Sequence, residues 1–435
     1  MGPLLILRSH RQRKRLPQRV LIVVQNLPVP LDRRVWLECQ ALRGAGYGVS
    51  VICPMGPGDP PFEVLDGVRI HKYPPPPAAE GVRGYLYEFA YCWLRTARLA
   101  VREYRRAGFG VIQACNPPDT YFALAALFRP LGVRFVFDHH DLCPEIYTAR
   151  FGTHGNLLLR TLKLLERATF RLADHVISTN ESYRDIAISR GGRRPETVTV
   201  VRSGPDLRRL TRVAPVPELK AGKPFLCSYL GIMGPQDGVD AVLDAAHVIV
   251  HEMGRRDCHF AILGFGDCLE ELQTQAHHDG LDDFVTFTGR VGDDEVREYL
   301  STADVGLSPD PKNAFNDLST MNKTVEYMAF GLPVVAFDLK ETHVSAAGAA
   351  TYVRDGDVAA YAKEIVSLLD DPERRAAMGR TGRQRVVEAL AWEHQAPIYV
   401  AVYRELLGPI PQLPSLLAPA AASAPPAGEI DPRAA

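Results

Sequence analysis

The chain has almost no net charge, no long apolar run and no paired cysteine motif, and each absence excludes a class of function. Its 50 Lys and Arg stand against 51 Asp and Glu, a formal charge of −1 at pH 7. No global field therefore draws it to nucleic acid or to a membrane, and such binding would rest on local patches. No stretch approaches the roughly 18–20 apolar residues that span a bilayer. The eight cysteines (Cys39, Cys53, Cys92, Cys115, Cys143, Cys227, Cys258 and Cys268) include no C-x-x-C pair and no regular spacing. That speaks against a zinc or disulfide framework and suits reduced thiols in the cytoplasm. The aspartate pairs at 282–283, 293–294 and 370–371 fall in loops or helix starts and read as solvated. No metal and no cofactor are implied.

At 435 residues, 46% hydrophobic and 23% charged, the composition is that of a soluble globular protein with two domains. Apolar runs alternate with helical patterns: VLIVVQ from Val20, YGVSVICP from Tyr47, then segments near 68–71, 110–114, 133–138, 176–179 and 198–201. A proline-bearing break follows, and a second series begins at Phe225–Leu230 and recurs at 260–263, 285–288, 305–308 and 334–337. Strands alternating with helices indicate parallel, doubly wound sheets. The fold class expected is α/β, with two Rossmann-like domains facing a cleft. Residues 1–17 form a basic leader expected to be disordered, too short and wrongly ordered for a signal peptide. The first domain covers 18–205, a linker 206–223, the second domain 224–391, an amphipathic helix 392–408, and a Pro/Ala-rich tail 409–435 expected to be disordered.

Ligands of such sheets bind at the carboxyl ends of the strands. In the second domain those ends carry Gly231 and Gly234, then Gly264 and Gly266, then Gly289 and Arg290, and finally the stretch NAFNDLSTMNKTVEYMAFGLPVVAFD from Asn313. Glycines let a backbone approach a phosphate, although each turn alone is weak evidence. The last stretch reads as loop, helix start and parallel strand, a unit that points unpaired N–H groups and a helix dipole at an anion. Ser319 and Thr320 stand where an N-cap is expected. Lys323 adds charge in the first turn, and Glu326 suits a pair of sugar hydroxyls. In the first domain the strand ends carry Arg33 and Arg34, then Asn116 and Asp119, then Asp138-His139-His140-Asp141. The two histidines admit three readings: metal ligation, a structural or capping role, or substrate contact. Zinc needs three or four suitably spaced ligands, and adjacent residues cannot readily face one ion.

Taken together, FDHHDLCPE (137–145), YLGIMGPQDGVD (229–240), LGFGD (263–267), VTFTGR (285–290) and NDLSTMNKTVEYMAFGLPVVAFD (316–338) resemble the retaining, GT-B-fold glycosyltransferases of family 4, especially the bacterial branch that builds cell-surface polysaccharide. The likeness covers roughly 18–407, and its last motif is specific. It implies transfer of a hexose-type sugar from a nucleoside-diphosphate sugar, UDP favoured, to a glycan or lipid-linked acceptor. It also implies that the segment 392–407 crosses back onto the first domain. Glu326 matches the second glutamate of the family's E-x7-E motif, which binds ribose. Backbone groups around Thr320, Met321, Asn322 and Lys323 match the diphosphate cradle, and His140 matches the histidine that contacts the transferred sugar. Two departures stand out. Leu318 replaces the first glutamate, with Asn316 and Asp317 beside it as substitute hydroxyl contacts. The family's Arg and Lys after the first strand of the second domain are Ile232 and Asp237. Lys323 then becomes the expected balance for phosphate charge, helped by Arg33, Arg34 or Arg290. Stabilising the leaving diphosphate is worth on the order of 3–4 kcal/mol per well-placed donor. Front-face attack, with the leaving phosphate taking the acceptor's proton, explains why no nucleophilic carboxylate is needed.

The segment 84–106 puts Leu86, Phe89, Trp93, Ala97, Ala100 and Tyr104 on one helical face and Arg95, Arg98, Arg102 and Arg106 largely opposite. It reads either as a helix packed on the sheet or as a peripheral contact with the inner face of an anionic membrane. Two other functions share the scaffold. An epimerase or hydrolase would need extra acid and base carboxylates in the cleft. A degenerate, non-catalytic nucleotide-binding partner would fit the lost glutamate.

Overall fold

The computed structural model describes residues 17–76, 81–152 and 156–410. The leader up to residue 16 and the tail from 411 lie outside them. The first sheet comprises β1 (Arg19–Val23), β2 (Gly48–Pro54), β3 (Phe62–Leu65), β4 (Val68–Tyr73), β5 (Val111–Cys115), β6 (Arg134–His139), β7 (His175–Ser178) and β8 (Val198–Val200), ordered β3-β4-β2-β1-β5-β6-β7-β8. The second comprises β9 (Phe225–Ile232), β10 (Cys258–Phe265), β11 (Val285–Gly289), β12 (Val305–Ser308), β13 (Val334–Phe337) and β14 (Ala350–Val353), ordered β11-β10-β9-β12-β13-β14. Every strand pair is parallel except β3–β4, an edge hairpin. Two sheets of this order with helices on both faces form the GT-B arrangement.

Continuous apolar runs follow from burial on both sheet faces. Along β1, Val20 and Ile22 enter the core on one side and Leu21 and Val23 the core on the other. Along β9, Cys227 and Tyr229 divide from Leu226 in the same way. The terminal helix Trp392–Leu407 follows the second domain in the chain, yet its Trp392, Tyr399, Val400, Val402 and Tyr403 join the core of the first. Its start is held at the hinge, where Trp392 N–H donates to the Pro205 carbonyl at 3.0 Å.

Three features differ from the sequence reading. The hairpin β3 and the edge strand β14 escaped it: β3 alternates exposed and half-buried residues, and β14 is only half-buried at its centre. Part of the expected linker belongs to the second domain, since Val213 and Val216 donate to Ser301 and Thr302, and Lys220 pairs with Asp304. The helix Gly81–Arg106 turns Cys92, Thr96, Ala100 and Glu103 inward and leaves Phe89 41% exposed. Glu103 is drawn in by Ser50, Arg69 and His71, which all bond its carboxylate. The side chain of Leu86 lies outside the described residues.

Candidate active site

The strand ends of both sheets face one another across a cleft, and adjacent residues there take opposite roles. Asp32 caps the helix Arg33–Gly44 by accepting from Val35 N–H at 3.0 Å. Arg33 and Arg34 thus occupy its first turn and diverge. Arg33 reaches over the cleft, bonding Asp293 at 2.9 Å and Glu326 at 3.4 Å. Arg34 turns into the first domain. Its Nε donates to His140 Nε2 at 2.8 Å, and its terminal nitrogens reach Asp138 Oδ1 at 3.2 Å and both Val201 O and Ser203 Oγ at 3.0 Å. Arg34 therefore does not stand free to balance phosphate, as expected from sequence; it holds the histidine. Ligand-type atoms of Glu38, Cys115, Asp138 and His140 converge within 4.8 Å, and the cation among them is this guanidinium.

The two histidines separate by strand alternation. His139 ends β6 on the face of Phe135 and Phe137, fully buried among Phe137, Phe170 and Tyr183 with ring centroids 5.1–5.3 Å away. Neither ring nitrogen has a partner. Burial, with Arg190 and His140 nearby, pushes its pKa down to about 3, so the ring is neutral. The expected substrate contact at His139 is thus replaced by core packing. His140, one residue on, keeps 15% of its side chain exposed. The Asn116 side chain shapes this loop, accepting from His140 and Asp141 N–H at 2.7 and 3.1 Å and donating to Asp119 and the Asp141 carbonyl. Asp119 is buried, and burial with Glu166 nearby raises its pKa to about 7. Burial likewise raises Asp141 to about 6, against the pull of His140.

In the second domain the helix with Lys323 and Glu326 runs Asn322–Ala329, with Met321 rather than Ser319 or Thr320 at its N-cap and no side-chain cap bond. The two hydroxyls are taken by the first domain instead: Ser319 bonds Tyr183 at 2.8 Å, and Thr320 accepts from Asn180 at 3.1 Å. Asn180 also holds the Leu318 carbonyl at 2.9 Å, at the position of the missing glutamate. The Asn316 amide is buried against Gln236 O and Pro311 O, and Asp317 accepts from Lys340 N–H and faces Lys312. Both hold the loop together.

Lys323 is buried and bonded to Asp310, itself 1% exposed. Burial would lower the ammonium pKa, but Asp310 and Asp237 outweigh it and raise it. Its charge is matched inside the protein, contrary to the expectation that it balances phosphate. Glu326 lines the cleft beside Asn322, Arg33, Arg209 and Asp293, around a cavity of about 120 Å³. Burial pushes its carboxyl up, with Arg33 opposing. Asp293, expected to be solvated, links Arg33 to Arg209. It stands in the first turn of the helix Asp293–Thr302, where a carboxylate also meets the helix dipole. A larger cavity of about 880 Å³ lies behind the hinge and is lined by none of the expected site residues.

The glycine turns serve chain packing first. A Cβ on Gly264 would lie 1.7 Å from Gly231 O, and one on Gly266 within 2.7 Å of the Met233 backbone. Gly231 packs near Tyr229 and Lys323, and Gly234 near Gln236 and Arg150. Gly289 has open space around it but a φ of +66°. Arg290 lies over the Phe265 ring at 5.2 Å. Arg150, which sequence reasoning missed, crosses from the first domain to Gln236 at 3.0 Å and to Asp267 at 3.8 Å.

Residues 31–209 match the family described as Glycosyltransferase Family 4, and residues 224–371 match Glycosyl transferases group 1. The chain is 26% identical to a 2-deoxystreptamine glucosyltransferase of Streptomyces kanamyceticus, over 78% of this chain and 89% of that one. It is 32% identical over 163 residues to a GDP-mannose-dependent α-(1-6)-phosphatidylinositol monomannoside mannosyltransferase of Mycobacterium tuberculosis, 37% of this chain and 42% of that one. Among solved structures, sucrose-phosphate synthase of Thermosynechococcus elongatus superposes with a TM-score of 0.73 at 19% identity, over 89% of this chain and 99% of that one. HepE of Anabaena in complex with UDP-glucose gives 0.64 at 17% identity, over 89% and 98%.

Proposed function

This chain belongs to the family 4-like glycosyltransferases of GT-B fold, and from that premise we propose that it moves a hexose-type sugar, with retained configuration, from a nucleoside-diphosphate sugar to a glycan or lipid-linked acceptor in cell-surface polysaccharide synthesis. The observation that carries the reading is Glu326: a carboxylate one turn into a helix whose start opens on an interdomain cleft, facing the arginine of the opposite domain. Glu326 takes the ribose hydroxyls and the N–H groups of 320–323 the diphosphate. His140 contacts the transferred sugar. With Lys323 matched internally, Arg33, Arg209, Arg150 and Arg290 are cations near the cleft that could meet phosphate. No protein carboxylate is assigned as nucleophile, and the leaving phosphate takes the acceptor's proton.

UDP is the nucleotide we favour, supported by the UDP-glucose complex of HepE, while the mannosyltransferase relative names GDP-mannose. Incubating the protein with UDP-glucose, UDP-N-acetylglucosamine and GDP-mannose, each with and without lipid-linked acceptor, separates the alternatives. Acceptor-dependent release of UDP with sugar transfer supports the reading. Donor converted without acceptor points to an epimerase or hydrolase, and donor bound but never converted to a degenerate partner.

We place the enzyme at the cytoplasmic side of the membrane. No helix among the described residues is long and apolar enough to cross a bilayer. Two helices of the first domain carry mixed apolar and basic outer faces. Tyr87, Leu94 and Val101 are exposed among Arg95, Arg98, Arg102 and Arg105, and Leu157 and Leu164 among Arg160, Lys163 and Arg167. Such a face suits anionic lipid. Co-sedimentation with phosphatidylglycerol vesicles should be lost when Arg95, Arg98 and Arg102 are changed to Gln; binding that persists unchanged removes the contact.

A further inference from the structure

A buried hydrogen-bond chain links the terminal helix to His140. Tyr399 and Tyr403 both donate to Gln113 Oε1, the first at 2.6 Å. With its oxygen so held, the Gln113 amide nitrogen donates to Glu38 Oε2 at 2.7 Å and to Asp138 Oδ2 at 2.6 Å. All five side chains are fully buried. Asp138 Oδ2 also receives the Cys115 thiol at 3.7 Å, and Oδ1 receives Arg34. A carboxylate oxygen offers about two lone pairs. The two of Oδ2 are therefore engaged, although it stands 2.9 Å from His140 Nε2. That ring nitrogen lies instead at the end of the Arg34 Nε–H bond.

We propose that the terminal helix sets the tautomer of His140: Tyr399 and Tyr403 fix Gln113, Gln113 occupies Asp138, and the occupied carboxylate leaves His140 Nε2 to accept from Arg34, keeping the ring proton on Nδ1. Among the described residues Nδ1 makes no bond, so the ring presents an N–H donor there, suited to a sugar oxygen. The groups around the ring are Arg34 and Glu38 from the Arg33–Gly44 helix, Cys115 from β5, Asp138 and Asp141 at the end of β6, and the two tyrosines behind Gln113. Burial and Asp138 push the Glu38 carboxyl well up. Burial would raise the Asp138 carboxyl too, but it is held below its ordinary range, with the Arg34 guanidinium bonded to it at 3.2 Å. Tyr399 and Tyr403 are positioning residues, and the helix that carries them is tied to the hinge by Trp392 and by Gln395, which accepts from Arg202 N–H at 3.1 Å.

The inference takes its functional meaning from His140 as the sugar contact, but its test needs no donor. The full chain, labelled with ring-15N histidine, is compared at pH 7.5 with Tyr399→Phe/Tyr403→Phe, using His140→Gln to assign the signal. The expected wild-type spectrum has the proton on Nδ1. Freeing Gln113 is expected to move it to Nε2, facing Asp138, with each single Tyr→Phe variant in between. Val402→Ala, a buried change on the same helix that removes none of these hydrogen bonds, should keep the wild-type signature. A wild-type proton on Nε2 overturns the proposal by itself, even where no variant folds. So does a double variant with an unchanged spectrum, or a Val402→Ala protein that shifts equally. A tautomer shift with full turnover in His140→Ala would leave the network standing and remove the sugar contact.

Discussion

Replacing Lys323 by methionine keeps the length of the stem and removes the charge, leaving Asp310 buried with, among the described residues, the Ser308 hydroxyl at 2.7 Å to hold it. Nothing solvates the stranded carboxylate: Asp310 is 1% exposed, and Asp237 nearby is itself pushed up by burial. Breaking a buried pair by removing one partner costs about 3–5 kcal/mol, because an uncompensated charge remains. At about 2–4 °C per kcal/mol for a domain of this size, the transition of the second domain should fall by about 6–20 °C. Adding Asp310→Asn to the same chain removes the stranded charge and should recover much of that loss. Scanning calorimetry on the wild type, both single variants and the double closes the cycle. A Lys323→Met transition within about 1 kcal/mol of wild type, or a cost that Asp310→Asn does not relieve, refutes the assignment of Lys323 as a structural pair. Lys323 would then be free to act on phosphate, as its place in the motif suggests.

Asp119, raised to about 7 from an ordinary 3.8 by burial and Glu166, favours the folded state when protonated. Its stabilisation is complete below the unfolded pKa and is lost as pH rises toward 7. Taken alone, that group removes about 2–3 kcal/mol between pH 5 and pH 8. Asp119→Asn should flatten that slope in urea titrations at the two pH values; a slope unchanged from wild type contradicts it. His139, lowered to about 3 from 6.5, works in the opposite direction. Its contribution is present above pH 6.5 and falls by about 2–3 kcal/mol by pH 4.5. His139→Phe should keep turnover and resist acid unfolding better than wild type, and a turnover loss as large as that of His140→Ala would restore His139 as a substrate contact.

The strands were legible because both sheets are buried on both faces, so each central strand is an apolar run that local composition reveals. β3, half-exposed and antiparallel, offered no such run. At the site, period-two alternation could have divided His139 from His140, since Phe135, Phe137 and His139 share a face. Asp310 lies 13 residues before Lys323, with a loop between that no periodicity bridges. The pairing of Gln113 with Tyr399 spans 286 positions and depends on a terminal helix folding back onto the other domain. Asp293 looked solvated because a helix-start aspartate usually is. Only the facing Arg33 and Arg209, from elsewhere in the chain, give it partners.

Titration of UDP into the wild type and Glu326→Ala by calorimetry addresses the nucleotide site most directly. Hydrogen bonds to a charged group contribute about 1.5–3 kcal/mol, so the variant should bind UDP about 10–150 times more weakly, with its thermal transition little changed. Equal affinity in the two proteins would contradict the account.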